Sequence, residues 1–308
     1  MKKLITLNNG LAAVGIFSLL LMSCEDKINP ALEYADPVLV VDAWINDRPE
    51  PQVISLTMTQ PYFENVLPSG LSGAIVTVSD DHGNTYTFTE DDKKSGSYVW
   101  KPATGEIFGT VGYHYTLHVD LNGEKYEAVS RMGRVPTIDS ISFDKDKRTG
   151  TSDIIVRGEF WATDPQGAGD TYWIRTYKNG VRLDKPSEIV VAYDAGFSAG
   201  GLTDGVMFIT PIRRGVNARD KDAAGKALSP IVAGDSIHVQ IHSVSLAAFN
   251  FLNQVKIQTD RPGGFQELFS KPLSNVSTNV VNLNPNGKAA VGFFNVSSVS
   301  VFGKRYTP

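Results

Sequence analysis

Short runs of alternating apolar and polar residues recur along most of the chain and limit what it can fold into. One run extends from Tyr113 to Val119 and another from Lys125 to Val129, with Asn122-Gly123 between them. An Asn-Gly pair between two alternating runs is a strong signal for a tight β-hairpin. Because side chains alternate between the two faces of a strand, the pattern predicts half-buried strands and a mainly β fold.

The spacing of these runs divides the chain into two predicted domains. About seven short runs lie between residues 37 and 135, separated by turns at the intervals typical of an immunoglobulin-like β-sandwich. This segment contains no cysteine pair, so only the architecture of such a sandwich is implied. Pro136 marks the expected boundary, and residues 136–308 are expected to form a larger β-rich domain.

One helix is predicted from a different periodicity. Leu246, Phe249, Leu252 and Val255 recur every three residues, and Ser245 stands before them as a candidate N-cap. We expect an amphipathic helix over residues 245–257 that covers one face of a sheet.

The single cysteine, Cys24, directly follows an apolar run near the N-terminus. Lys2 and Lys3 precede this run, which covers residues 11–21, and the small Ser23 stands just before the cysteine. These features are typical of a secretory signal, and the run is too short to span a bilayer as a helix.

The end of this signal resembles the lipobox of bacterial lipoproteins. It predicts a signal peptide over residues 1–23, a diacylglycerol and palmitate anchor on Cys24, and a tether over residues 24–36. The alternatives are an ordinary secretory signal with an incidental cysteine, and an N-terminal anchor helix.

Composition narrows the expected partners. The 308-residue chain has a formal net charge of −4, which becomes −6 when Lys2 and Lys3 leave with the signal peptide. An acidic chain does not attract phosphate backbones, so nucleic acid is not expected as a partner. No later segment approaches 18 apolar residues, so the lipid is the expected membrane attachment, and no other cofactor is predicted.

A glycine-rich segment over residues 164–170 contains side chains that suit a cation. Asp164, Gln166 and Asp170 offer oxygen atoms, which are the ligands that calcium prefers. A loop between two strands explains the same residues without an ion. We favour the loop, predict no metal, and keep these three residues as a candidate ion- or ligand-binding site.

A serine-hydrolase pattern is present but incomplete. Ser198 stands at the centre of Gly196–Gly200, which matches the nucleophile-elbow motif, and Asp235, His238 and His242 follow in the usual order. The elbow requires a strand that turns directly into a helix, whereas another apolar strand pattern follows this loop. We therefore predict no catalytic residue and no enzyme activity, with a hydrolase based on Ser198 as the unfavoured alternative.

The histidines and tryptophans are expected to have structural roles. His114 and His118, like His238 and His242, are four residues apart. On a strand this spacing separates the rings by about 13 Å, at roughly 3.3 Å per residue, so we expect solvated histidines rather than a metal site. All four tryptophans occur in strand-like runs, where aromatic residues are more often core than a ligand platform.

Several segments occur in an order that resembles one protein family. They are Val38–Ile45 with Ser55–Thr57, Gly73–Asp80 with Gly83–Tyr86, Tyr113–Val119 with Gly123–Tyr126, Ala162–Pro165 with Tyr172-Trp173, and Phe249 with Ser274–Val276 and Gly292–Phe294. Together they span most of the chain after the tether and resemble domain of unknown function 4249 (DUF4249), found in Bacteroidota lipoproteins. Trp173 is a departure, because the family tends to carry a second tyrosine in that region.

The resemblance implies a location and a role. Family members are often encoded beside TonB-dependent outer-membrane receptors, which implies an accessory lipoprotein held at the outer membrane by its lipid. Glu25 and Asp26, directly after Cys24, are similar to the acidic signal that sends such lipoproteins to the cell surface. An anchor that faces the periplasm is the alternative.

Two hypotheses about function follow from these features. The first is a lipoprotein that binds a ligand or a neighbouring receptor in support of TonB-dependent nutrient uptake. The second is a structural or adhesive cell-surface protein in which the β domains serve as spacers.

Overall fold

A computed structural model of the chain describes residues 35–61, 64, 66–93, 95–147 and 154–308. The predicted signal peptide lies outside these residues, as do Cys24, Glu25 and Asp26. The predictions about lipidation and surface export therefore stay predictions.

The first strand of the fold pairs with a strand close to the end of the chain. β1 (Leu39–Asn46) runs parallel to β15 (Ala290–Ser297), with Leu39 opposite Ala290 and Asn46 opposite Ser297. Parallel neighbours need a long connection, and here that connection contains nearly all of the other elements. Two strands that are far apart in the sequence are thereby fixed side by side.

β1 and β15 belong to a nine-stranded sheet. Its other strands are β2 (Gln52–Met58), β3 (Ile75–Asp80), β4 (Thr85–Glu90), β5 (Ser97–Trp100), β6 (His114–Leu121), β7 (Glu124–Arg131) and β14 (Val281–Asn282). The strand order is β14-β7-β6-β3-β4-β5-β2-β1-β15.

The sheet curls so that β7 and β15 come together. The amide nitrogen of Asn279 donates hydrogen bonds to the carbonyl oxygens of Val129 and Phe294, at 3.2 and 2.8 Å. The Ser130 hydroxyl accepts a hydrogen bond from the Val296 amide at 3.1 Å. Side chains therefore connect the two strands and close the sheet around its core.

A second sheet is built from the C-terminal half of the chain. Its strands are β10 (Thr171–Lys178), β11 (Val181–Arg182), β12 (Val190–Tyr193), β13 (Ser236–Ser243) and β16 (Val299–Arg305). The order is β11-β10-β13-β16, and β12 also pairs with β10. β8 (Ile138–Lys147) and β9 (Ile154–Ala162) form a separate antiparallel pair.

The helices of the described residues are short apart from one. They are α1 (Thr210–Arg213), α2 (Leu246–Thr259) and the 3-10 helices Pro186–Glu188, Arg214–Val216 and Gly264–Phe269. The Ser245 hydroxyl caps α2 by accepting a hydrogen bond from the Ala248 amide at 3.1 Å. The predicted helix and its N-cap are confirmed, with α2 two residues longer than expected at its C-terminus. Within the described part of the chain, no helix combines the length and apolar character that a membrane span requires.

Three groups of buried apolar side chains hold the layers together. One lies inside the nine-stranded sheet, and another packs the second sheet against β8 and β9. The third group is smaller and joins β15 to β12 and α2 through Phe293, Val191, Phe249 and Leu252. This third group is the part of the fold that places the candidate functional site.

The mainly β prediction is confirmed, and seven strands lie between residues 37 and 135 as expected. β14 and β15 follow the expected boundary at residue 136 but complete the sheet that begins before it. Residues 37–308 form one compact unit. The region predicted to be immunoglobulin-like thus shares its sheet with the C-terminal segment, and the division at residue 136 stays a prediction.

His242 is a correction to the sequence analysis. His114, His118 and His238 are exposed as expected, but only 4% of His242 is accessible to solvent. Its Nε2 lies 3.0 Å from Oε1 of Gln240. The expectation failed because the nine-stranded sheet covers the second sheet near the C-terminal end of β13, where His242 lies. The face that alternation assigned to solvent is buried there. Burial, followed by the charges of Arg175 and Arg48, lowers the pKa of His242 well below its usual value.

Replacing Gly292 tests the pairing of β1 with β15. Gly292 has φ +94°, and a Cβ atom there would lie 2.0 Å from the Val41 carbonyl oxygen. We expect Gly292→Ala to lower the free energy of unfolding by about 3 kcal/mol or more in urea titrations, because the two strands must separate. Gly234→Ala is the control, since Gly234 has φ +91° with no atom within 4 Å of the added Cβ. Equal losses in both variants would contradict a close approach at Gly292.

His242 predicts a pH dependence of stability. Below about pH 6.5 the unfolded chain binds a proton at His242 that the folded chain does not, so the free energy of unfolding falls as the pH falls. The slope from this group approaches about 1.4 kcal/mol per pH unit. Urea titrations between pH 7.5 and 5.5 should show a shallower slope for His242→Gln than for the unaltered protein. His238→Gln, a change at an exposed position on the same strand, is the matched variant for the loss of a histidine.

Candidate functional site

A groove lies where the nine-stranded sheet meets the second sheet and α2. Alternation along β1 directs Val40, Asp42 and Trp44 to the groove, while the residues between them point into the first core. Alternation along β10 brings Trp173 and Arg175 to the opposite wall. The alternation along each strand therefore determines which side chains face the groove, and the packing of the two sheets brings the two sets together.

The inner part of the groove is aromatic. The rings of Trp44 and Trp173 meet edge to face with centroids 5.0 Å apart, and Trp44 stacks on Phe293 at 5.9 Å. Phe251 of α2 lies 4.7 Å from Phe293. These rings border a cavity of about 520 Å³. This volume is within the range of sites that bind small molecules.

The outer part of the groove is polar. A cavity of about 390 Å³ adjoins the aromatic part and shares Asp42, Ser55, Arg175 and Arg182 with it. Arg182 pairs with the carboxylate of Asp184 at 3.6 Å. The site thus has an apolar interior and a charged mouth, an arrangement that can bind an apolar group and fix its orientation.

Arg175 is the most unusual group of the site. Its guanidinium lies over the Trp173 ring, with Cζ 4.8 Å from the ring centroid. Its Nε is buried without a hydrogen-bond partner, and it has no ion pair with a carboxylate of the described residues. Burial lowers the pKa of Arg175. A half-buried cation without a carboxylate partner destabilises the folded chain, which is typical of a residue retained for binding.

Asp42 faces Arg175 from the other wall of the groove. Its side chain is exposed, yet the walls crowd the carboxylate and remove part of its hydration. This desolvation raises the pKa of Asp42, although a hydrogen bond from Trp44 and the charges of Arg182 and Arg175 lower it in part. The mouth therefore carries both signs of charge.

The segment predicted as an ion- or ligand-binding loop lies elsewhere in the fold. Arg134 holds it, donating from Nε to the Asp170 carboxylate at 2.8 Å and from a terminal nitrogen to the Gln166 carbonyl oxygen at 2.7 Å. Asp164 is buried and accepts a hydrogen bond from the Tyr172 hydroxyl at 2.6 Å. Asp170 therefore binds Arg134 through its side chain, Gln166 binds Arg134 through its carbonyl oxygen, and Asp164 binds Tyr172. The three predicted residues thus have different partners within the protein.

Asp164 instead lies with two acids that sequence reasoning did not select. One carboxylate oxygen each from Asp164, Asp194 and Asp204 lies within 4.8 Å of the others, a spacing that one calcium ion could bridge. Each of these acids also accepts a hydrogen bond from the amide of a loop glycine. Burial raises the pKa of Asp164, and the charge of Asp194 adds to that increase. The acids therefore cap the turns of this loop.

The hydrolase constellation is not assembled around Ser198. Ser198 lies in a loop of turns and bends between β12 and α1, and the chain does not pass directly from a strand into a helix there. Asp235 accepts from the Asn179 amide at 2.7 Å and pairs with Lys178 at 3.0 Å. His242 is engaged by Gln240. The elbow geometry that the alternative requires is therefore missing from this loop.

Sequence reasoning missed the groove. Trp44 and Trp173 were expected in a core, and the structure leaves both half-buried where two sheets meet. One local signal was available: Asp42 and Arg175 sit two residues from these tryptophans, on the same face of their strands. A charged residue beside a tryptophan on one strand face indicates an edge of the core rather than its interior.

A family model for a domain of unknown function (DUF4249) matches residues 25–302. This match confirms the resemblance that the ordered segments indicated. No curated protein matches the chain.

Replacing Arg213 and Arg175 in turn should show which of the two arginines stabilises the fold. Arg213 and Arg214 both pair with the buried Glu159, at 2.8 and 2.9 Å, so Arg213→Met should leave that carboxylate underpaired and lower the free energy of unfolding by about 2 kcal/mol. Arg175→Met removes a cation that has no carboxylate partner and keeps contact with Trp173. We expect it to leave the free energy of unfolding unchanged or to raise it by up to about 1 kcal/mol. Urea titrations measure both, and a loss in Arg175→Met as large as that in Arg213→Met would contradict this interpretation.

Proposed function

The chain belongs to the DUF4249 family, and we propose that it is an outer-membrane-anchored lipoprotein that binds a ligand in its groove. In this proposal it serves as an accessory component of TonB-dependent nutrient uptake. The cell surface is the proposed location, with the lipid on Cys24 as the anchor and no catalytic step. A TonB-dependent receptor is the proposed neighbour.

The groove is the observation that carries the binding function. Four aromatic rings border its interior, and Arg175 faces it without a carboxylate partner. A protein that acts only as a spacer gains nothing from a half-buried, unpaired cation, because replacing it with an apolar residue would stabilise the fold. The groove therefore favours the binding function over the adhesive alternative.

The N-terminal sequence supports the anchoring part of the proposal. Cys24 follows a signal-like apolar run, and the compact unit begins at Pro37. The segment between them is long enough to hold the folded unit away from a bilayer surface, at up to about 3.3–3.6 Å per residue. Glu25 and Asp26 support the surface-facing orientation.

Replacing Cys24 tests the anchor. In the native host, Cys24→Ser should abolish incorporation of labelled palmitate and move the protein from the membrane fraction to the soluble fraction, because a serine cannot carry the thioether-linked lipid. Ser23→Gly keeps a small residue before the cysteine and should retain both the label and the membrane location. Full membrane retention of Cys24→Ser would contradict lipid anchoring.

Recovery of partners tests the role in uptake. Affinity purification of the tagged, lipidated protein from detergent-solubilised outer membranes should recover a TonB-dependent receptor. The Cys24→Ser variant is the control, since a protein outside the membrane should recover less of it. If no outer-membrane receptor is recovered after cross-linking, the uptake role is wrong, whatever the groove binds.

A further inference from the structure

The groove's charges narrow the class of ligand, and this inference rests on the proposed binding function. Three guanidinium groups stand at the mouth or just behind it. Arg175 and Arg182 line the groove, and Arg48 is close enough for its charge to act on His242 together with that of Arg175. Arg48 lies 4.0 Å from the Glu50 carboxylate, although its Nε makes no hydrogen bond, and Arg182 lies 3.6 Å from that of Asp184. Arg175 is the arginine at the mouth that is left without such a partner.

The position of Arg175 determines which ligand group its guanidinium can bind. The guanidinium lies over the Trp173 ring, with Cζ 4.8 Å from the ring centroid, so the indole occupies one side of the cation. A guanidinium offers parallel N–H donors, which match the two oxygens of a carboxylate.

The balance of charge at the mouth limits the anion to a single negative charge. Arg48 and Arg182 pair with Glu50 and Asp184, whereas Asp42 lines the groove with Arg175 without forming an ion pair with it. A dianionic phosphate or a polyphosphate would meet the Asp42 carboxylate across the groove without a second free cation to balance it. A monocarboxylate needs only the free donors of Arg175.

The aromatic interior determines the rest of the ligand. Trp44, Phe251 and Phe293 border the space beyond the mouth, together with Val40 and Ile189. Rings of this kind bind other rings and branched apolar groups through stacking and edge contacts. A charged or strongly hydrated group placed against these apolar side chains would lose its water without gaining a partner from them.

We infer that the groove binds a small monocarboxylic acid with an aromatic or branched apolar body. Arg175 receives the carboxylate through paired hydrogen bonds, and the apolar body lies against Trp44, Phe251 and Phe293. Asp42 on the facing wall disfavours ligands with a second negative charge.

The test uses the full-length lipoprotein in detergent and two probes that share one body. The probes are 3-phenylpropionate and its neutral amide, 3-phenylpropanamide, with 4-methylpentanoate as a branched acid. Binding is followed through the four indole N–H signals in NMR spectra of protein labelled with ¹⁵N. Trp44 and Trp173 report on the groove, whereas Trp100 and Trp161 lie outside it and serve as internal controls.

We expect at least one acid to shift the Trp44 and Trp173 signals and to bind at least tenfold more tightly than the amide, because a charge-assisted hydrogen bond is lost in the amide. Arg175→Gln should remove this preference and bind the acid and the amide about equally. Arg131→Gln, a change at an exposed arginine outside the groove, should keep the preference. Matching melting temperatures confirm that the variants are folded.

Two results would overturn the inference. One is an amide that binds as tightly as its acid, or a preference that survives in Arg175→Gln; the groove would then bind ligands without recognising a carboxylate, and the proposed binding function would stand. The other is the absence of any shift at Trp44 and Trp173 with millimolar concentrations of every probe. The ligand class would then be wrong, while recovery of an outer-membrane receptor would still decide the uptake role separately.

Discussion

The parallel pairing of β1 with β15 is the constraint on which the rest of the structure depends. It attaches a strand from the end of the chain to the edge of the sheet that the first 135 residues begin. Phe293 of β15 is thereby placed beside Trp44 of β1, and both reach the third apolar group. Without this pairing the second sheet and α2 would have no fixed position against β1, and the groove would not exist.

The groove shows two opposite uses of arginine in one fold. Arg213 is held against Glu159 inside the second layer, where its charge is matched and its removal leaves a buried carboxylate underpaired. Arg175 is held over Trp173 with no such match. An arginine side chain therefore stabilises the fold at position 213 and destabilises it at position 175. This difference in local charge balance, rather than burial alone, is what distinguishes the candidate site from the core around it.

Much of the fold could be predicted from the sequence, because strands, turns and one capped helix are local features. The hairpin at Asn122-Gly123 and the N-cap at Ser245 were confirmed for this reason. The groove could not be predicted, since Trp44 and Trp173 meet only after strands far apart in sequence have paired. His242 was misjudged for the same reason: its strand alternates as expected, but a second sheet covers the face that alternation assigned to solvent. Asp194 and Asp204 escaped notice because they approach Asp164 through the fold and not through a motif.

The order of the chain has a consequence for how this protein is made. The ribosome releases β1 long before β15, so the edge of β1 has no parallel partner while the intervening residues are produced. An unpaired edge strand invites contact with other chains, and pairings between distant residues form slowly. The nine-stranded sheet therefore remains incomplete until β15 is available. Truncated or stalled chains that lack β15 therefore cannot complete the sheet, and they keep the edge of β1 open to other chains.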